Sequence, residues 1–300
     1  MQHSATGAGI RDERDPFIAV DWGTTNRRAY LIEHGAVVRS ERDAVGITAV
    51  PQGGFPAEAG RLRATMGGAR MLIAGMAGSN RGWTDAGYVP CPATLDLLAA
   101  RIVPAADGVG IVPGVSIIDG TRGDVMRGEE VQLLGAVVAG LAPPDALLCQ
   151  PGTHCKWARV ADGALVDFAT AMTGELFALL KDHALIGAAM HGDVADGAAF
   201  RDGVARSAEG DLTTALFGVR PASLLGLRDD ADAAAYVSGL LIGSDCRAYV
   251  AAGATVHLLA DAKLAALYAA AIGAVGGVAV AIDSHAAFVA GITGIWELQP

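Results

Sequence analysis

The chain is short of several things, and each shortage excludes something. Aromatic residues make up 5% of its 300 positions, and only three lysines occur, Lys156, Lys181 and Lys263. The formal net charge is −10, with no basic run. A chain of that sign lacks the cationic surface that sequence-independent nucleic-acid binding or an anionic membrane requires. The four cysteines, Cys91, Cys149, Cys155 and Cys246, form no CxxC. Cys149, His154 and Cys155 lie close in sequence, but adjacent His-Cys is poor chelating geometry and no fourth ligand is evident. Reduced thiols in a cytoplasmic protein are the expectation. Neither GxxxxGK[ST] nor GxGxxG is present, so any phosphate site is built some other way. Residues 1–15 are polar without an apolar core, so they read as a disordered lead-in and not a signal peptide. The longest uncharged run, 264–282, is broken by Gly273 and Gly276-Gly277. It reads as a buried helix followed by a buried strand, not as a membrane span.

What is present is one pattern written twice. Residues 17–32 run apolar, then Asp21-Trp22-Gly23-Thr24-Thr25-Asn26, then strand-like again. Residues 146–160 repeat the form through Gln150-Pro151-Gly152-Thr153-His154. Each copy then meets a further turn, at His34-Gly35 or Asp162-Gly163, and a third short strand. One such unit per half predicts two similar domains, 16–143 and 144–300, divided at Pro143-Pro144 because paired prolines end the preceding helix. Helices are expected at 57–66, 95–100, 129–141, 173–185, 193–209, 211–217, 230–252, 262–272 and 286–295. Strands at 70–74, 110–112, 115–118, 255–260 and 277–282 alternate with them, and 120–128 reads as a polar, turn-rich stretch. The class is α/β.

The turns have chemistry of their own. Glycine at 23 and 152 allows a tight turn and lets backbone N–H groups approach an anion. The hydroxyls of Thr24, Thr25 and Thr153 can donate to phosphate oxygens. Asp21 ends an apolar strand and can hold Mg²⁺ through water, whereas the second copy has Gln150 there, so magnesium should lie nearer the first turn. An ordinary hairpin turn favours the same residue types, and it is the pairing of the two turns that favours a phosphate clamp.

Five segments in order carry a resemblance: Val20 through Asn26, Gly75-Met76-Ala77-Gly78-Ser79-Asn80-Arg81-Gly82-Trp83, Val125-Met126-Arg127-Gly128-Glu129-Glu130, Pro151-Gly152-Thr153-His154-Cys155-Lys156-Trp157, and Met172-Thr173-Gly174-Glu175-Leu176. Together they resemble the 2-dehydro-3-deoxygalactonokinase family of the actin/hexokinase/Hsp70 ATPase superfamily. The resemblance implies two ribonuclease H-like domains with a cleft between them, the last helix (286–295) lying at the hinge. It implies ATP-dependent phosphorylation of the 6-hydroxyl of 2-dehydro-3-deoxy-D-galactonate in galactonate breakdown.

On that reading Gly23, Thr24, Thr25, Gly152, Thr153, His154 and Lys156 meet the nucleotide phosphates, and Asp21 the magnesium. His154 and Lys156 suit a structural turn role equally well. A sugar acid needs a cationic, donor-rich pocket, for which Arg81, Arg127, Ser79 and Asn80 are candidates, with Gly78, Trp83 and Glu175 beside them. A primary alcohol needs a base, and Glu129 or Glu130 stands where the superfamily's sugar kinases place their acid, with Asp124 as rival. The superfamily's adenosine-binding strand end should fall at Ala260-Asp261, although the usual glycines are missing there. Partners are then a sugar acid and ATP, with no nucleic acid, no membrane, and a homodimer open. The alternatives are a kinase of the same fold acting on another sugar acid or polyol, and an actin-like interaction protein. A sugar-sensing repressor would need a helix-turn-helix before the first hairpin, and none is present.

Overall fold

The computed structural model describes residues 15–120 and 122–299. The lead-in read over 1–15 lies outside the described residues except for Asp15. By contacts the chain forms two compact units, the first containing residues up to Val89, Leu95–Gly114 and Ile292 onward, the second Pro90–Thr94 and Val115–Gly291. Residues 115–143 therefore pack with the second unit.

The first unit holds β1 (Phe17–Trp22), β2 (Arg27–Glu33), β3 (Ala36–Asp43), α1 (Phe55–Thr65), β4 (Arg70–Gly75) and most of β5 (Tyr88–Pro90). It continues with α2 (Leu95–Ala99), β6 (Val103–Ala106) and β7 (Val109–Ile111). Its sheet runs β3-β2-β1-β4-β7-β6, with β1 antiparallel to β2 and parallel to β4. Phe17 through Val20 are at most 2% exposed; a central strand covered on both faces is apolar at every position. The His34-Gly35 turn has both residues at positive φ, the two-residue hairpin that matches strand twist.

The second unit opens with a hairpin of β8 (Gly114–Asp119) and β9 (Arg122–Met126), followed by α3 (Glu129–Val138). The expected turn-rich stretch at 120–128 is thus largely a strand: β9 takes its hydrogen bonds from β8, a partner that its polar composition did not reveal. The unit continues through β10 (Ala146–Gln150), β11 (Cys155–Ala161), β12 (Ala164–Ala171) and α4 (Thr173–His183). After α5 (Ala198–Arg206), α6 (Leu212–Phe217), α7 (Val219–Leu224) and α8 (Asp230–Tyr249) come β13 (Thr255–Leu259), α9 (Ala262–Ala274), β14 (Val278–Ile282) and α10 (Ser284–Glu297), whose residues from Ile292 on count with the first unit.

The second sheet runs β12-β11-β10-β13-β14, with β10 antiparallel to β11 and parallel to β13. The order 3-2-1-4 of the first sheet is therefore repeated, including the two-residue turn at Asp162-Gly163. The repeat seen in the residues is a repeat of topology.

Three other expectations change. Helix α5 begins at Ala198, not 193, and α7 was not foreseen. The run 264–282 is a helix and a strand, but β14 is a sheet edge with Val278 55% exposed, because among the described residues no strand pairs beyond it. Among the described residues no helix is long and apolar enough to cross a membrane. The small residues of α3 do allow close approach: at Gly135 a side chain would strike the backbone of Ala287 on α10.

Candidate active site

In the first unit the turn after β1 is pinned to a following loop. Gly23 N–H donates to Asn26 O at 2.9 Å, Ile47 N–H to Gly23 O at 3.0 Å, and Thr48 Oγ1 to Thr24 O at 2.9 Å. Thr24 and Thr25 remain exposed, and Asp21 sits half-buried at the strand end beside Arg28 and Ala74 in the ladders. Trp22 anchors the base of the turn, its indole donating to Val45 O at 2.9 Å.

The segment after β4 is a tight bend. Ser79 is buried; its hydroxyl donates to Met76 O at 2.8 Å and accepts from Arg81 N–H at 3.3 Å. Ser79 therefore shapes the loop that presents exposed Asn80 and Arg81. Gly78 is buried within the bend. Trp83 stacks on Phe55 with ring centroids 6.3 Å apart, making it a support of this unit's core.

In the second unit the turn Gly152-Thr153-His154 is closed against the start of α4. Glu175 N–H donates to Thr153 O at 2.9 Å, and His154 Nε2 lies 2.6 Å from Glu175 Oε2. A side chain on Gly174 would collide with the Gly152 carbonyl, so only glycine allows this contact. Behind it stands a residue that sequence reasoning missed. Asp245, buried on α8, accepts from Trp157 Nε1 (2.8 Å), Thr173 Oγ1 (2.9 Å) and Tyr268 OH (3.0 Å). One carboxylate thereby ties β11, α4 and α9 together. Its burial pushes its pKa up, against those three donors. An aspartate inside an otherwise apolar helix face was the available signal.

The candidate acids have distinct surroundings. Asp124 accepts from Thr170 N–H (2.7 Å), Thr170 Oγ1 (2.8 Å) and Val125 N–H (2.7 Å). Lys156 belongs to the same network: it is 4% exposed, and its ammonium donates to Val125 O (2.9 Å) and Thr170 Oγ1 (2.7 Å). Glu130 is fully buried, and both its oxygens accept from Gly128 N–H, at 2.8 and 2.7 Å. Gly128 has φ +102°, a conformation that favours glycine and aims that N–H back at the helix. Burial, with a further contribution from the Glu129 charge, pushes the Glu130 carboxyl up to about 8. Glu129 is only half-buried, its Oε2 accepting from Arg127 N–H at 3.0 Å. Arg127 itself is buried.

A cavity of about 300 Å³ opens beside the second turn, lined by Gly152 and by Gly174 and Phe177 of α4, Leu241 of α8, and Leu267 and Tyr268 of α9. Two of the three lysines, Lys181 and Lys263, also line it. Ala260 and Asp261 do not line it: Asp261 caps α9, accepting from Lys263 and Leu264 N–H at 3.0 Å each. On this part of the chain the cavity lining begins at Lys263. It joins a backbone-rich turn to an apolar hollow with cations, a combination suited to a nucleoside carrying phosphates.

The model of the 2-keto-3-deoxy-galactonokinase family matches residues 21–295. A probable 2-dehydro-3-deoxygalactonokinase of Rhizobium meliloti is 40% identical, over 94% of this chain and 98% of its own length. The 2-dehydro-3-deoxygalactonokinase of Escherichia coli is 36% identical, over 93% and 97%. A solved structure of a candidate 2-dehydro-3-deoxygalactonokinase from Sinorhizobium meliloti superposes with a TM-score of 0.87 at 37% identity, covering 93% of this chain and 97% of that one. The matched span runs from the Asp21 strand end into α10, and the relatives agree over nearly their full lengths: the chain belongs to the 2-keto-3-deoxy-galactonokinase family.

Proposed function

We propose that this chain uses ATP to phosphorylate the 6-hydroxyl of 2-dehydro-3-deoxy-D-galactonate, a cytoplasmic step of galactonate breakdown. The scaffold is an actin-like ATPase fold of two ribonuclease H-like domains, a reading supported by the repeated strand order of the two sheets. Membership in a kinase family makes the chain a phosphotransferase. The observation that carries the nucleotide assignment is the Gly152–His154 turn, sealed by α4 and continuous with the apolar cavity. Adenosine occupies that cavity, and the turn's N–H groups, with His154, face the phosphates.

Burial sets Glu130 apart from the other two acids, and hydrogen bonding sets Asp124 apart from Glu129. A base must reach the hydroxyl it deprotonates. Glu130 is sealed from solvent and Asp124 is held by Thr170 and Val125, which leaves half-buried Glu129 as the base. Burial pushes the Glu130 carboxyl up to about 8, so it adds no second negative charge beside Glu129. Glu129 takes the proton of the 6-hydroxyl as that oxygen bonds to the γ-phosphorus and the bond to ADP breaks. Arg127, two residues before Glu129, holds the sugar acid's carboxylate. Lys156 holds β9 against β12 and acts on the phosphates only through that support.

The residues around Asp21 fit magnesium: one carboxylate and two threonine hydroxyls are hard oxygen donors, too few for a protein cage, as suits an ion that keeps its water. When bound, the ion neutralises charge on the transferring phosphates. An ATP-coupled assay over a panel of sugar acids and polyols tests the reading. Turnover confined to 2-dehydro-3-deoxy-D-galactonate is expected, and failure of every sugar acid refutes it.

A further inference from the structure

Helices α6 and α7 are short, and both faces of the pair are apolar. Ala215 and Val219 point inward, at 5% and 1% exposure. Yet Phe217, Leu224, Leu225 and Leu227 stand 71–76% exposed. The neighbouring turn 185–189, against which α7 packs, adds Leu185 at 79%. Between 212 and 227 the only charged residue is Arg220. A helix that is apolar all round belongs in an interior, but among the described residues nothing covers this side. Exposed apolar residues elsewhere, such as Ile118 on β8, stand apart from this group and need no such explanation.

We propose that a second copy of this chain covers this face, giving a two-fold dimer. The area argues for it. Five large side chains, each about three-quarters exposed, present on the order of 600 Å², the upper end of the largest patch on a typical monomer. In a two-fold pairing the same patch meets itself. Two such patches bury about 1,200 Å² before any polar rim is counted, which is where specific, stable interfaces begin. Charge argues for it too. The whole chain carries −10, which opposes self-association, but the segment 212–227 has no carboxylate of its own, and the Asp230 carboxylate that reaches α7 is held by the Ser223 hydroxyl. Charge depletion at the centre is the compositional mark of an interface core. Asp211, Arg228 and Asp229 flank the segment in sequence, Asp211 capping α6, Asp229 capping α8 and Arg228 lying over the Tyr236 ring. Leu185 follows two residues after the cavity-lining helix α4, so a partner there would also brace the proposed nucleotide site.

Sedimentation velocity over about 1 to 50 µM, within the affinity range that interfaces of this size span, tests the proposal. The wild-type chain should sediment at twice its 30.4 kDa. Leu224→Asp/Leu227→Asp should sediment as a single chain, or weaken association by about 100-fold or more, as buried carboxylates in a self-facing patch require. Ile118→Asp, equally exposed but off the patch, should remain dimeric. The milder Leu225→Lys serves if the double variant loses its circular-dichroism signature or its Tm. A wild-type chain of single mass at every concentration overturns the proposal, whether or not it then floats with phosphatidylcholine vesicles. So does a folded patch variant that dimerises as the wild type does.

Discussion

Replacing Glu130 with glutamine should change how stability depends on pH, and the structure supplies the size. The carboxyl is fully buried, and its pKa stands near 8 against an ordinary 4.5. Between those values the folded chain keeps a proton that the unfolded chain has released. Stability therefore falls as pH rises through this window and is level on either side of it. At 1.36 kcal/mol per unit, the full cost of ionising Glu130 in place is about 5 kcal/mol. Glutamine keeps an acceptor for Gly128 N–H but never ionises, and its amide group finds a poorer place, at a cost of about 1–3 kcal/mol. Glu130→Gln should thus be less stable than wild type near pH 5 and more stable, by about 2–4 kcal/mol, above pH 8. Urea unfolding of both proteins from pH 5 to 9 measures the difference, and the titrations common to both cancel in it. Parallel stability curves across that range would refute the reasoning, because they would mean that Glu130 ionises alike in the folded and unfolded chain.

Glu129→Gln should lower kcat by about 100-fold or more, with little change in KM for ATP or in Tm, as loss of a general base does; an unaltered kcat removes Glu129 from that role. Gly174→Ala forces the start of α4 off the Gly152 carbonyl and should raise KM for ATP by about 10-fold or more through overpacking, read from steady-state kinetics. His154→Ala breaks an exposed pair worth about 1 kcal/mol at most, so Tm should hold while kcat/KM for ATP falls; equal losses in both would mark the histidine as structural. Asp245→Asn leaves three converging donors with a mismatched amide and should cost about 1–3 kcal/mol, with KM for ATP rising more than KM for the sugar acid.

Much of the fold could be read directly because it rests on local chemistry. The apolar runs at β1 and β10 are central strands, and His34-Gly35 and Asp162-Gly163 turn where two positive-φ residues are needed. The glycines at 135 and 291 mark helices that touch backbone to backbone. Context is what local chemistry does not carry: β9 is polar because it is the exposed half of a hairpin, and the Trp83 ring stacks on Phe55.

By itself the sequence determined the class, the doubled turn and the family, since each depends on residues adjacent in the chain. It could not separate Glu129 from Glu130, of which the first is half-buried and the second sealed in. It could not tell that Lys156 is spent on Val125 and Thr170, that Asp245 gathers three elements, or that α4, α8 and α9 enclose a cavity beside the second turn. Burial and convergence depend on what distant segments bring to the same place, and only the tertiary structure decides that.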